Sequence, residues 1–235
     1  MSSEAMRSCT SSPRLVAVFD LDGTCMSGQS GKLISTWLLK QRRLSFMVAH
    51  GLAWWGLRYV LHLPNRQERS RELIFRDLSK LDPSEVERIM VDFHQEVMLP
   101  LYRPRALKEI ALLKDQGYSV VLISATFDII AREAARYLGA DGYVATQMER
   151  DEQGRYTGFV LGDVVEGHAK VDAVNAWANE RFGEDGWMLD RAYGDHHSDV
   201  ELLRMSNYPL AVSPGFGLRR VARRYKWPIE NWKAR

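Results

Sequence analysis

Leu15-Val16-Ala17-Val18-Phe19-Asp20-Leu21-Asp22-Gly23-Thr24 is the stretch that decides the fold. Its first five residues are an unbroken apolar run containing β-branched Val16 and Val18, which predicts a short buried strand of a parallel sheet. Two carboxylates then leave the carboxyl end of that strand, where open α/β sheets place their ligands. Side chains alternate along an extended chain, so Asp20 and Asp22, two apart, can share one side. Two acids on one sheet edge suit a hard cation and a nucleophile.

Further along the chain, strand and helix patterns alternate. Asp82-Pro83-Ser84-Glu85 predicts a helix start, with Asp82 as N-cap, proline in the first turn and Glu85 three residues past the cap. Val86, Ile89, Met90, Phe93 and Val97 then mark one buried face. Ala106 to Lys114 reads as a helix closed by Gly117, and Tyr118 to Ile123 as a strand. Phe127 to Leu138 reads as a helix closed by Gly139, Gly142 to Ala145 as a strand, and Thr146 to Val160 as a hairpin turning at Asp151-Glu152-Gln153-Gly154. A helix over Ala169 to Phe182 and strands at Ala192-Tyr193 and Leu210-Ala211-Val212 complete the order. The fold class is therefore α/β, a parallel sheet with helices on both faces. A helical segment interrupts the alternation after the first strand and reads as an inserted cap. The expected division is a flexible tail over 1–14, a catalytic core over 15–26 plus 104–235, and a cap over 27–103.

The chain has 235 residues, 46% hydrophobic and 26% charged, enough for a full core. A net charge of +2 makes no case for nucleic acid, and no nucleic-acid partner is expected. Cys9 and Cys25 are the only cysteines, so a reducing cytoplasm is the expected setting. The first fourteen residues lack the apolar core of a secretory signal. Leu44 to Leu63 is the most apolar stretch, but His50, Arg58 and His62 interrupt it, which makes it a poor membrane span. From Lys32 to Arg71 eight Lys or Arg residues face one acid, Glu68, with Trp54, Trp55 and Tyr59 among them. Two readings stay open: a membrane-surface element, or helices that pack on one another while their cations are solvated. Leu218 to Arg235, with seven basic residues against Glu230, poses the same alternative between peripheral membrane contact at an inner membrane surface and a solvated final helix and tail.

Four stations fall at strand ends: Asp20 and Asp22; Ser124-Ala125-Thr126; Lys170; and Gly194-Asp195-His196-His197-Ser198-Asp199. Any one is weak, since an acid after a strand is commonly a turn residue. Together, in this order, they resemble the haloacid dehalogenase (HAD) superfamily, and the insertion, the Ser124-Ala125-Thr126-Phe127 turn and Leu210 to Pro214 resemble its phosphoserine-phosphatase-like branch, subfamily IB. The resemblance implies a Rossmann-like core and a Mg²⁺-dependent phosphomonoesterase. It implies that Asp20 is a nucleophile forming an aspartyl phosphate, and that Asp22 is a general acid and base. Asp20, the backbone carbonyl of Asp22 and Asp195 would hold Mg²⁺. Ser124, Ala125 and Thr126 would bind phosphoryl oxygens together with Lys170, and Asp199 would orient Lys170 or a metal-bound water. Dehalogenating members lack the second acid, so Asp22 favours a phosphatase. His196 and His197 are left out of the metal site, because oxygen ligands suit Mg²⁺; His168 reads as a surface residue.

The sequence departs from phosphoserine phosphatases where they carry a glutamate for the substrate ammonium. Gln29 stands near that place, which argues against phosphoserine itself and leaves Gln29 and Ser30 as cap residues for another leaving group. Ser198 replaces an asparagine of the last motif. The expected substrate is a small phosphorylated metabolite. The alternatives are a lipid headgroup phosphate such as phosphatidylglycerophosphate at a membrane surface, or a non-catalytic basic module for lipid or nucleic acid.

Overall fold

A computed structural model of the protein describes residues 12–61, 63, 66 and 68–233. The chain runs β1 (Arg14–Asp20), α1 (Ser30–Lys40), α2 (Phe46–Val60), α3 (Glu68–Leu78) and α4 (Pro83–Phe93), then a π-helical turn and a 3₁₀ turn up to Leu101. It continues α5 (Pro104–Asp115), β2 (Ser119–Phe127), α6 (Asp128–Leu138), β3 (Gly142–Arg150), β4 (Tyr156–Leu161), α7 (His168–Phe182) and β5 (Trp187–Gly194). A 3₁₀ turn (His197–Asp199), α8 (Val200–Met205), β6 (Tyr208–Val212), α9 (Phe216–Tyr225) and β7 (Ile229–Glu230) follow. Residues 1–11 of the expected tail, Cys9 among them, and His62 lie outside the described residues.

Among the described residues, seven strands form one sheet in the order β4-β3-β2-β1-β5-β6-β7. All neighbours are parallel except β3 and β4, the hairpin expected between Thr146 and Val160. The strands added after β1 build outward to β2 and β3 on one side and later to β5 and β6 on the other. The carboxyl ends of β1 and β5 thus flank a topological switch point, where such sheets open a crevice. Alternation along β1 serves both faces: Ala17 and Phe19 join one buried cluster, Val16 and Val18 the other.

The Asp82 signal folds as its chemistry demands, the carboxylate accepting from the Ser84 amide at 3.0 Å with Pro83 in the first turn. Val86, Ile89, Met90 and Phe93 are buried, but Val97 is only half-buried and Met98 takes the inward place. The π-helical turn His94–Met98 adds residues to the turn and rotates the apolar face past the position that a 3.6-residue repeat assigns.

Three other boundaries differ from expectation. Arg14, assigned to the tail, opens β1: its amide donates to Gly186 O at 2.8 Å and its Nε to Ser119 Oγ at 2.8 Å. β2 runs through Ser124, Ala125 and Thr126 to Phe127, so the expected turn is the irregular end of a strand, and α6 begins at Asp128. The C-terminal segment is not merely a solvated helix and tail, nor is its Trp232 available to a membrane. β7 pairs with β6, and Trp232 is 4% exposed, its ring 5.9 Å from that of Tyr193.

The residues from α1 to α4 share the buried cluster of one sheet face through Ile34, Leu38, Phe75, Leu78 and Ile89. Phe75 of α3 sits 4.8 Å from Phe127 and 5.0 Å from Tyr156, ring centre to ring centre, joining the insert to β2 and β4. The two ends of the insert are bonded to each other where they leave the core. Ser27 N donates to Leu101 O at 2.9 Å and Arg103 N to Cys25 O at 2.9 Å. Among the described residues no helix is long and apolar enough to cross a membrane.

Candidate active site

Asp20 is the last residue of β1, and its carboxylate is buried. Lys170 reaches it from the first turn of α7, which Gly167, at φ +60, turns toward the sheet edge. The Lys170 ammonium lies 2.6 Å from Asp20 Oδ1 and 2.6 Å from Asp199 Oδ1. Asp199 Oδ2 in turn accepts from the amides of Asp195 at 3.1 Å and His196 at 3.0 Å. Both oxygens of Asp199 are thus committed to holding Lys170 and the loop that carries Asp195. A third carboxylate, Asp195, comes in from the end of β5, and single oxygens of Asp20, Asp195 and Asp199 lie within 4.8 Å of one another.

This cluster holds more negative charge than one ammonium offsets. Burial pushes the Asp20 carboxyl well above the usual carboxylate range; Lys170 opposes this, and the nearby Asp199 and Asp195 add to it. Burial, and then Asp199, push Asp195 up to about 7. Lys170 stays firmly protonated: desolvation works against its charge, and Asp199 and Asp20 outweigh it. Neither Asp195 nor the second oxygen of Asp20 enters an ion pair among the described residues. A β-carbon on Gly23, which is at φ +79, would stand 2.0 Å from Asp195 Oδ2, so only glycine leaves room for that carboxylate. Oxygen donors, surplus charge and a cradle free of side chain fit a small hard divalent cation.

Asp22 is held by the insert. Ser30, the first residue of α1, donates its amide to Asp22 Oδ1 at 2.9 Å and its hydroxyl to Oδ2 at 2.7 Å. Burial raises the Asp22 carboxyl, and the two Ser30 bonds oppose it. Ser30, expected to meet a leaving group, is buried and spent on Asp22 instead. Gln29 is exposed and makes no capping bond at the start of α1.

At the end of β2 the buried Ser124 Oγ accepts from the Thr126 amide at 3.1 Å, which leaves its own proton to donate. The Thr126 amide is thereby engaged, while Thr126 Oγ1 is buried without a partner. The Ala125 carbonyl accepts from Arg71 Nε at 2.8 Å, from Arg71 Nη2 at 2.6 Å and from Thr146 Oγ1 at 3.1 Å. Arg71 and Thr146 were not singled out in the sequence. Arg71 was one cation among eight, and no local pattern marks the one whose helix carries it over β2. His196 caps the 3₁₀ turn through Ser198, and the His168 ring faces Asp172 at 3.9 Å; neither joins the carboxylate cluster.

A buried aspartate at the switch point of a parallel sheet, clamped by a lysine and backed by further acids, places a candidate site where α/β enzymes bind their ligands. The chain belongs to the haloacid dehalogenase-like hydrolases, whose family model matches residues 17–204. It is 28% identical over 158 residues to a histidinol-phosphatase of Neisseria meningitidis serogroup C (strain 8013), covering 66% of this chain and 71% of that protein. A crystal structure of a protein of unknown function from Bordetella pertussis Tohama I superposes with a TM-score of 0.81 at 26% identity, over 93% of this chain and 99% of that one. A substrate-bound phosphoserine phosphatase shares the fold with a TM-score of 0.63 at 21% identity, over 95% of both chains. The chain is thus a phosphatase of the haloacid dehalogenase type, with the fold of the phosphoserine-phosphatase-like branch.

Proposed function

We propose that the chain is a Mg²⁺-dependent phosphomonoesterase that transfers the phosphoryl group of a small soluble substrate to Asp20 and then to water. The observation that carries this reading is the Lys170 ammonium 2.6 Å from both Asp20 and Asp199, which fixes a buried carboxylate at the switch point with its second oxygen outside any ion pair among the described residues. That second oxygen attacks phosphorus, and the phosphorus–oxygen bond to the leaving alcohol breaks in line. Asp22, whose carboxyl is raised by burial against the two Ser30 bonds, gives its proton to the departing oxygen. It then takes a proton from the water that attacks the acyl phosphate, returning Asp20 and releasing inorganic phosphate. Ser124 donates its hydroxyl to a phosphoryl oxygen, Thr126 Oγ1 offers a second donor, and Lys170 keeps a fixed positive charge beside the group in transfer.

Mg²⁺, held by Asp20, Asp195 and the backbone carbonyl of Asp22, would neutralise the phosphoryl oxygens against the surrounding carboxylates. A neutral, exposed Gln29 offers no charge to a substrate ammonium, so phosphoserine is not the preferred substrate.

The test is phosphate release with Mg²⁺ over a panel of amino-acid, amino-alcohol, sugar, nucleotide and lipid phosphates, beside Asp20→Asn. Release that disappears in Asp20→Asn, with circular dichroism unchanged, supports the nucleophile; equal release from both proteins refutes it. A marked preference for phosphoserine would refute the reading of Gln29.

A further inference from the structure

The outward face of α2 carries more exposed large hydrophobic side chains than any other helix or strand among the described residues. Val48 is buried and Leu52 and Trp55 pack on the core, while Gly51 lies so close to α3 that a β-carbon there would meet Leu73 at 3.0 Å. That side of the helix is fully used. On the other side Phe46 is 90% exposed, Trp54 57%, Val60 70%, and Met47, Leu57 and Leu61 are also open to solvent. Their spacing, 46/47, 54, 57 and 60/61, with His50 and Ala53 between, is one continuous stripe at helical period. A helix apolar on both sides is ordinarily enclosed. Here one side has nothing against it among the described residues, and a contiguous patch of this kind marks an interaction surface.

Charge selects the occupant. Between Lys32 and Gln67 the sequence holds no Asp or Glu, while exposed Lys40 and Arg42 precede the stripe and Arg66 and Arg69 follow it. Beyond the stripe Arg66 faces Glu68 at 3.7 Å and Glu72 at 3.8 Å, Arg69 faces Glu72 at 3.9 Å, and Asp77 holds Lys80 at 2.6 Å and the Ser45 amide at 2.6 Å, so of these flanking cations the ones outside any ion pair among the described residues are Lys40 and Arg42 on its near side. Two copies meeting through this stripe would bring like charges together. An anionic surface would not.

We propose that the outer face of α2 docks on a lipid bilayer containing anionic headgroups, with Phe46, Trp54, Leu57 and Val60 entering the headgroup boundary and the flanking cations meeting lipid charge. A tryptophan with a polar N–H and an apolar body suits that depth. The helix lies in the interface and does not span it. The proposal is independent of which phosphomonoester is cleaved.

The experiment is flotation of the full chain with vesicles of equal parts phosphatidylcholine and phosphatidylglycerol, beside Phe46→Ser/Trp54→Ser. Both residues are exposed, and unchanged circular dichroism and hydrolysis of a soluble phosphomonoester verify the fold. The wild type is expected to float with these vesicles, less so as salt rises, and the double variant to bind at least about tenfold more weakly. Protein left at the bottom of the gradient, or a variant that floats as well as the wild type, overturns the proposal. Sedimentation analysis giving a dimer that the same variant dissociates, without flotation, overturns it in favour of a second copy.

Discussion

Ser30→Ala removes one hydrogen bond from the carboxylate taken here as general acid and base, and its effect can be worked out from the geometry. Ser30 Oγ donates to Asp22 Oδ2 at 2.7 Å, and the Ser30 amide, which the substitution keeps, donates to Oδ1 at 2.9 Å. A hydrogen bond to a charged group contributes about 1.5–3 kcal/mol, roughly 10- to 150-fold in rate if realised in the transition state; with the amide bond remaining, about tenfold is expected. The loss should fall on kcat/KM for an alkyl phosphate, whose leaving oxygen needs a proton. It should nearly vanish for p-nitrophenyl phosphate, whose phenolate leaves unaided. Ser30 lowers the Asp22 carboxyl, so its removal raises it further. The acidic limb of kcat, where Asp22 must lose its proton to activate water, therefore moves to higher pH with both substrates. Stopped phosphate-release assays across pH measure both effects. An acidic limb that stays where it was would show that Ser30 does not act through Asp22, and the reasoning would fall.

Two further outcomes are expected. Asp195 is pushed up to about 7 by burial, so the cation-free folded protein holds a proton that the unfolded chain releases; stability from this group is present at low pH and declines as pH rises toward that value. Mg²⁺ binding replaces that proton, and the rise in Tm on adding Mg²⁺, read by calorimetry, should be larger at about pH 8 than at about pH 5; equal rises would contradict the assignment of Asp195. Trp232→Ala empties a site 4% exposed beside Tyr193, and urea unfolding should report a loss of about 3–5 kcal/mol. A loss within experimental error would mean that the C-terminal segment is dispensable.

The parts of the fold written in local pattern were readable. The run from Leu15 to Phe19 declares a buried strand because nothing polar interrupts it, and Asp82-Pro83 declares a helix start because its cap and its fixed φ are both local. Gly117 and Gly139, at φ +87 and +76, mark the helix ends for the same reason. What escaped depends on partners distant in sequence. β2 continues through Ser124 to Phe127 because β3 is there to pair with it. Ser30 meets Asp22 only once α1 folds back over the strand end, and Arg71 meets Ala125 from 54 residues away. Trp232 reads as part of a basic tail until Ser213 and Tyr193 supply its surroundings. Asp20, Lys170, Asp195 and Asp199 come together from distant parts of the sequence because strand ends of a parallel sheet converge on one edge wherever they fall in the chain.

The bonded seam at the insert's two ends has a consequence for how such an enzyme diversifies. Because Ser27 joins Leu101 and Arg103 joins Cys25, with Arg103 Nη2 reaching Gly23 O at 3.1 Å, everything between closes on itself before the sheet resumes. A stretch lengthened or shortened there can keep the path of the core chain, provided that Ser30 still meets Asp22, Arg71 still meets Ala125 and Phe75 still packs on Phe127. Inheritance can therefore rewrite the outer parts of the insert while the lysine-clamped aspartate passes on untouched, and the graft point for an engineer is the same short ladder.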